Sequence, residues 1–126
     1  MKSKTVHGLF AICRLEPDAV VPEWATSGTL SSITRTPDEL SIICEEAAVP
    51  RDVKAERGFH CLQLVGPFDF QAIGILESFL RPLAEAAVPI FAISTYDTDW
   101  ILIQGKHWER ALLALAIAGH ERISSH

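Results

Sequence analysis

The sequence predicts an α+β fold in which a hairpin and two helices share one apolar core. Residues 90–93 and 100–103 are apolar, β-branched runs on either side of a short polar corner, a pattern typical of a hairpin. Over residues 73–87, and again over 108–118, apolar residues recur every three or four positions, as on the buried face of a helix. Hydrophobic residues make up 48% of the 126 residues, enough for a packed core rather than a disordered chain.

The first half is predicted to contain strands at residues 6–15, 30–35 and 40–45. The segment Thr36-Pro37-Asp38-Glu39 joins the last two strands, because Pro37 presets the backbone of a turn. Residues 47–57 contain Pro50 and charged side chains, so we interpret them as a linker or an irregular edge. A fourth strand is predicted for residues 59–65.

A helix is predicted after the break at Gly66-Pro67-Phe68-Asp69, with Asp69 as a candidate N-cap. Pro82 is expected to loosen the last turn of this helix. Its predicted buried face consists of Ile73, Leu76, Leu80, Leu83 and Ala87. A second helix is predicted for residues 106–118, ending at Gly119, with a buried stripe of Trp108, Ala111, Leu112, Leu115 and Ala118.

A short final strand over residues 121–124 completes the order strand, helix, strand, strand, helix, strand. This order is that of the split βαβ, or ferredoxin-like, fold. It predicts a four-stranded antiparallel sheet with both helices on one face.

The two halves of the chain look like copies of one module. An ungapped alignment of residues 32–43 with residues 92–103 pairs Ile33 with Ile93 and Glu39 with Asp99. The first copy has no room for two full helices, so we predict a truncated module over residues 1–56 and a complete module over residues 57–126. Chance similarity between alternating apolar strands is the alternative explanation.

Composition argues against several classes of partner. The net charge is -5, and the 11 basic residues are scattered, which disfavours nucleic acid and anionic membrane surfaces. No apolar run approaches the ~18 residues that a membrane span requires, and the N-terminus has no signal-peptide core. Cys13, Cys44 and Cys61 lie in apolar runs, so we expect reduced core thiols and a cytoplasmic protein.

A catalytic centre is the least favoured interpretation, and no cofactor or metal is expected. The five histidines have no metal-like spacing to each other or to a cysteine, and the glycines form no phosphate-binding loop. His60 and Cys61 are neighbours in a predicted strand, so they point to opposite faces. Asp97 and Asp99 lie at an exposed turn, where burial has little scope to tune a carboxyl pKa.

Several segments together resemble the ACT-domain family, most closely the branch that includes the CASTOR-type arginine sensors and many small bacterial proteins. These segments are Gly66-Pro67-Phe68-Asp69-Phe70, Gly74-Ile75-Leu76, Pro82-Leu83-Ala84, and residues 93–99; the hairpin at residues 31–40 resembles the first module of those bacterial proteins. The resemblance covers most of residues 5–123. It implies tandem ferredoxin-like modules and a regulatory protein that binds amino acids without catalysing a reaction.

The resemblance also implies a ligand site formed by the loop after the first strand, the start of the first helix and the neighbouring hairpin. Carried over residue by residue, the expected ligand-binding residues are Gly66, Pro67, Phe68, Asp69, Ile73, Gly74, Ile75, Ser94, Thr95, Tyr96 and Asp99. In the arginine sensors an acidic residue precedes the Gly-Ile pair by two positions. Ala72 occupies that position here, so a guanidinium would lose one charge partner.

The chemistry of these residues suits a zwitterion. Backbone N–H groups at a helix N-terminus attract a carboxylate, and Asp97 or Asp99 can pair with an ammonium. Structural roles explain some of the same residues: Asp69 as a plain N-cap, Gly74 as a packing residue, and Ser94 and Thr95 as partners of the local backbone.

We therefore predict a sensor of a small amino acid or related metabolite that acts on an unidentified protein. Arg35, at the matching corner of the first module, is a candidate cation at a pseudo-symmetric position. The alternative is a protein–protein interaction or dimerisation module with a vestigial pocket; a small enzyme is the third and weakest option. A homodimer is compatible with the first two, because a truncated module exposes apolar surface.

Overall fold

The computed structural model describes residues 1–66, 68 and 73–123. Within them the chain forms β1 (Lys2–Leu15), β2 (Ser32–Arg35), β3 (Leu40–Glu45), β4 (Ala55–Leu64), α1 (Ile75–Glu85), β5 (Phe91–Ser94), β6 (Asp99–Gln104), α2 (Gly105–Ile117) and β7 (Glu121–Ile123). The predicted α+β class is confirmed. None of the described helices combines the length and the apolar character needed to cross a membrane.

Contacts divide the chain into two compact units. One unit is His7–Phe59, and the other combines Met1–Val6 with the described part of residues 60–126. Strands β1 and β4 contribute residues to both units. The predicted boundary between residues 56 and 57 stays a prediction, and the assignment of residues 1–6 to the second unit was not expected.

The unit His7–Phe59 is built on antiparallel pairing. Strand β3 pairs with β1, with Leu40 opposite Leu15, and with β2 on its other side. Short 3₁₀ segments lie at Glu23–Thr26 and Glu46–Ala48. The buried core of this unit consists of Ala11, Cys13, Ala25, Leu40, Ile42, Cys44 and Val49.

The second unit packs its two helices against strands β4 and β6. Its strand order is β1, β4, β6 and β5, with β7 pairing β1. The shared core contains Leu62, Leu64, Phe79, Leu83, Val88, Ile101, Ile103, Ala111 and Leu115. Helix α2 thus buries Ala111 and Leu115 as predicted, whereas Ala118 is exposed.

The position of β7 differs from the predicted four-stranded arrangement. Strand β7 runs parallel to the start of β1, with Lys2 opposite Glu121. The amide of Glu121 donates to the carbonyl of Met1 at 2.9 Å, and the amide of Val65 donates to that of Lys2 at 2.9 Å. The first residues of the chain therefore supply a strand to the second unit, which contains the two α-helices. The polar residues Lys2, Ser3 and Lys4 concealed this strand from a search for apolar runs.

Helix α1 begins later than predicted. Its N-cap is Gly74, which adopts a left-handed backbone with φ of 80°, so the helix cannot continue toward the N-terminus at this point. Ile73, predicted on the buried face, is 96% exposed. Ala87, at the other end, lies beyond the helix with φ of 58°. The predicted N-cap Asp69 lies outside the described residues.

The two hairpins have loops of the same length. Arg35 lies opposite Leu40 in the first, and Ser94 lies opposite Asp99 in the second, so each loop contains four residues. This pairing offsets the hairpins by 59 residues, whereas the ungapped alignment that matched Glu39 with Asp99 used 60. In the structural register, Asp99 corresponds to Leu40, a fully buried core residue. The second hairpin therefore carries a carboxylate where the first carries an apolar side chain.

Candidate functional site

A cavity of about 340 Å³ lies between the start of α1 and the corner that joins β5 to β6. All of its lining residues belong to the unit that contains the two α-helices. Its volume is at the small end of the range for small-molecule sites. The lining consists of Phe68, Gly74, Ile75, Leu76, Glu77 and residues 94–99.

The corner at residues 94–99 is closed by hydrogen bonds of its own. The amide and hydroxyl of Thr95 donate to the carbonyl of Thr98 at 2.8 and 3.0 Å. The indole Nε1 of Trp100 donates to the Thr95 hydroxyl at 3.1 Å. The Ser94 hydroxyl donates to Asp99 Oδ1 across the base of the hairpin. These bonds give the polar side chains of the corner a defined arrangement.

The corner is also attached to the end of β4. Thr98 is buried, and its hydroxyl donates to the carbonyl of Leu64 at 2.7 Å. The amide of Phe68 donates to the carbonyl of Asp97 at 3.0 Å. A Cβ at Gly66 would lie 2.9 Å from that same carbonyl oxygen, closer than real Cβ contacts allow. Gly66 therefore permits the close approach of the two segments.

The opposite wall of the cavity is the N-terminus of α1. The first bond of the helix runs from the amide of Ser78 to the carbonyl of Gly74, at 2.9 Å. The amides of Ile75, Leu76 and Glu77 precede that bond and have no intrahelical acceptor, and the N-cap Gly74 has no side chain that could cap them. This wall presents backbone donors of the kind that bind a carboxylate.

The lining carries negative charge. Glu77, Asp97 and Asp99 are acidic, and no lysine or arginine belongs to the lining that the structure describes. Glu77 is paired along the helix with Arg81, whose Nε donates to Glu77 Oε1 at 2.6 Å. Within the described part of the chain, no donor contacts the carboxylate of Asp97 or the Oδ2 of Asp99. These two carboxylates are therefore available to a cation.

The cavity brings together many of the residues predicted from the sequence: Phe68, Gly74, Ile75, Ser94, Thr95, Tyr96 and Asp99. Two other predicted residues, Gly66 and Ile73, do not line the cavity. Gly66 instead lies against the backbone carbonyl of Asp97. Pro67 and Asp69 lie outside the described residues.

Four further residues line the cavity but were not among the predicted ligand-binding residues: Leu76, Glu77, Asp97 and Thr98. Glu77 had a sequence signal, since acidic residues favour the first turn of a helix. Nothing in the sequence indicated that Thr98 would be buried.

The hairpin of the other unit carries an arginine at the position that Ser94 occupies here. Arg35 occupies the register position of Ser94. Its guanidinium donates to the carbonyl of Ala19 at 2.8 Å and also to that of Pro17. Arg35 is therefore engaged within its own unit, holding the loop after β1.

The described residues contain no group of three or more histidine, cysteine, aspartate or glutamate side chains placed to hold a metal ion. All three cysteines are free thiols and buried, as the sequence analysis expected of core residues.

Comparison with known proteins places these features in a family. The family model described as ACT domain matches residues 54–116, and a model of an N-terminal domain matches residues 8–52. None of the curated proteins matches the chain.

Solved structures resemble the whole chain. A protein from Agobacterium tumefaciens is 39% identical, with a TM-score of 0.92, over 99% of this chain and 93% of that one. A Vibrio cholerae protein described as a possible transport protein is 19% identical, with a TM-score of 0.74, over 93% and 88%. The regulatory subunit of aspartate kinase from Thermus thermophilus, in its ligand-free form, is 13% identical, with a TM-score of 0.60, over 89% and 93%. The last two likenesses concern the fold.

The family model covers half of the chain, and its match contains α1 and the hairpin, whose residues line the cavity. The resemblance read from the sequence is thereby confirmed: the chain belongs to the ACT-domain family.

Proposed function

We propose that this protein is a regulatory binder of a small amino acid, or of a closely related metabolite, and that it has no catalytic activity of its own. One observation carries the proposal. The cavity has first-turn backbone amides of α1, which have no intrahelical acceptor, on one wall and the carboxylates of Asp97 and Asp99 on the other. These are the two kinds of group that a zwitterion requires.

The binding mode follows from this polarity. The ligand carboxylate accepts hydrogen bonds from the first-turn amides of α1, helped by the helix dipole. The ligand ammonium pairs with Asp99 or Asp97. The ligand side chain is left to contact Phe68, Leu76 and Tyr96. An acidic amino acid binds poorly, because its second carboxylate meets the negative wall.

A regulatory role is supported by the kind of protein that shares the fold. The Thermus thermophilus relative is described as a regulatory subunit. A cytoplasmic location and an unidentified regulated protein belong to the same proposal.

One observation favours a second candidate, an interaction or dimerisation module. Leu113 and Ile117 lie one turn apart on α2 and are 62% and 78% exposed. Exposed apolar side chains at this spacing are typical of a surface that another chain covers. In this case the cavity would be vestigial and a homodimer would be the functional form.

The experiment that separates the candidates is thermal unfolding of the full chain with each of the twenty amino acids at about 1 mM. Ligand at 100 times its dissociation constant stabilises the folded state by ~2.7 kcal/mol, which raises the midpoint by several degrees for a domain of this size. We expect one amino acid, or a few related ones, to raise the midpoint, and aspartate and glutamate to leave it unchanged.

Two variants assign the response to the cavity. Asp99→Ala is expected to abolish the shift. Asp38→Ala is the matched control, since Asp38 lies in the loop of the other hairpin and is exposed. A flat response of the wild-type protein, combined with a tight dimer in sedimentation, would reject the binder and support the interaction module.

A further inference from the structure

We infer that Thr98 is a positioning residue of the proposed ligand site. Its side chain holds the corner at residues 94–99 in a binding geometry before the ligand arrives. The inference rests on the proposed function, and it assigns a role to a residue that was absent from the predicted ligand-binding set.

Thr98 joins the two parts of the site through both its backbone and its side chain. Its carbonyl accepts hydrogen bonds from the amide and the hydroxyl of Thr95, and these bonds close the corner. Its hydroxyl donates to the carbonyl of Leu64, 34 residues earlier in the chain, at 2.7 Å. Thr98 is only 7% exposed, although the residues from Ser94 to Asp97 are exposed. One buried residue therefore anchors a corner that is otherwise open to solvent.

A second contact holds the corner from the same side. The amide of Phe68 donates to the carbonyl of Asp97, the residue before Thr98, at 3.0 Å. The close approach that this bond requires is possible because residue 66 has no Cβ. Thr98 thus holds this short segment through a hydrogen bond, and Gly66 leaves room for the segment because it has no Cβ.

The consequence concerns Asp97 and Asp99, the two neighbours of Thr98 that carry the available carboxylates. If Thr98 is released, both carboxylates move relative to the α1 amides, and the two ends of a zwitterion no longer meet their partners together. A preformed site also avoids the entropic cost of ordering the corner when the ligand binds. The position of Thr98 should therefore affect affinity more than the fold.

The test compares Thr98→Val with Thr98→Ser in the full chain. Valine is nearly isosteric with threonine and removes the hydroxyl, whereas serine keeps it. With whichever of the twenty amino acids stabilises the wild-type protein as probe, we expect Thr98→Val to raise the Kd about tenfold, the order of one hydrogen bond. Thr98→Ser should restore most of the affinity.

A control and a second variant keep the test sharp. Thr36→Val is the control, because it removes a hydroxyl from the loop of the other hairpin, where the amide of Thr36 donates to the carbonyl of Glu39. It should alter stability without changing the Kd. Gly66→Ala should mimic Thr98→Val, because its Cβ displaces the Asp97 carbonyl by a different route.

Amide hydrogen exchange supplies a readout that needs no ligand. We expect Thr98→Val to accelerate exchange at the amides of Phe68 and Thr95, which the anchored corner protects, and to leave α2 unchanged. Unaltered exchange at both amides, or a Kd that Thr98→Ser does not restore, overturns the inference. A wild-type protein that binds none of the amino acids rejects the proposed function instead, and the exchange result then decides the role of Thr98 alone.

Discussion

Cys61, in β4, is fully buried, and the loss of hydration raises the pKa of its thiol from 9.0 to about 12. In the unfolded chain the thiol ionises near its ordinary pKa. Between pH 9 and about 12, the unfolded state therefore binds fewer protons than the folded state. By linkage, the free energy of unfolding falls as the pH rises through this window and is unaffected by Cys61 below it.

We predict that Cys61→Ala weakens this alkaline loss of stability. One thiol contributes at most about 1.4 kcal/mol per pH unit. Urea unfolding of wild type and variant at pH 8, 9.5 and 10.5 measures the effect: the variant starts less stable, and the two curves converge as the pH rises. Parallel curves would contradict the assignment. Cys13, whose pKa burial raises to about 11, is present in both proteins and cancels in the comparison.

At the scale of the element, helix α1 contains a proline, which leaves one helix carbonyl without its usual amide donor. A side chain from outside the helix donates to that carbonyl instead. Pro82 has no N–H to donate to the carbonyl of Ser78, four residues earlier. His120 Nε2 lies 3.0 Å from that oxygen, and because a carbonyl only accepts, Nε2 carries the hydrogen. Phe79 packs against the same imidazole, with ring centroids 5.1 Å apart. A residue beyond α2 thereby completes the hydrogen bonding of α1.

A double-mutant cycle tests this relation. His120→Ala is expected to destabilise the wild-type protein by about 1 kcal/mol through the lost hydrogen bond, in addition to the lost packing. In a Pro82→Ala background the helix supplies its own amide to Ser78. The same His120→Ala change should then cost less, and equal costs in both backgrounds would argue against the role of His120.

Many of the helices, strands and buried positions were predictable from the sequence, but their exact bounds were not. The hairpin, both helices and the buried positions Leu83, Ala111 and Leu115 were predictable, because apolar periodicity records burial directly. The start of α1 was not, because Ile73 continues the periodicity while Gly74 ends the helical backbone. The alignment of the two hairpins was offset by one residue, since the consecutive apolar residues 42–44 and 101–103 match nearly as well in either register.

At the scale of the whole molecule, the N-terminus is part of the C-terminal unit. Ser3 is 3% exposed, and Met1 packs against the core of α1, α2, β4 and β6. Strand β7 has its paired partner in residues 2–4. A polypeptide that begins at residue 57 would leave β7 and the adjacent edge of β4 without these hydrogen bonds.

We predict that the fragment of residues 57–126 does not fold cooperatively by itself. Thermal unfolding followed by circular dichroism should show a broad transition or none, whereas the full chain unfolds sharply. A variant that lacks only residues 1–6 is the matched comparison, and it should be much less stable than the full chain. A sharp transition in the fragment would show that residues 1–6 are dispensable.

By itself, the sequence determined the secondary-structure types, the ACT-domain membership and most of the residues around the cavity, because these depend on local patterns and on short motifs. Tertiary structure alone decided that Lys2–Leu15 serves both units, that Thr98 bonds to Leu64 and that Arg35 is engaged within its own hairpin unit. Each of these joins polar groups far apart in the chain. A polar side chain has the same sequence signature whether it faces water or a buried carbonyl, and only the folded chain distinguishes the two.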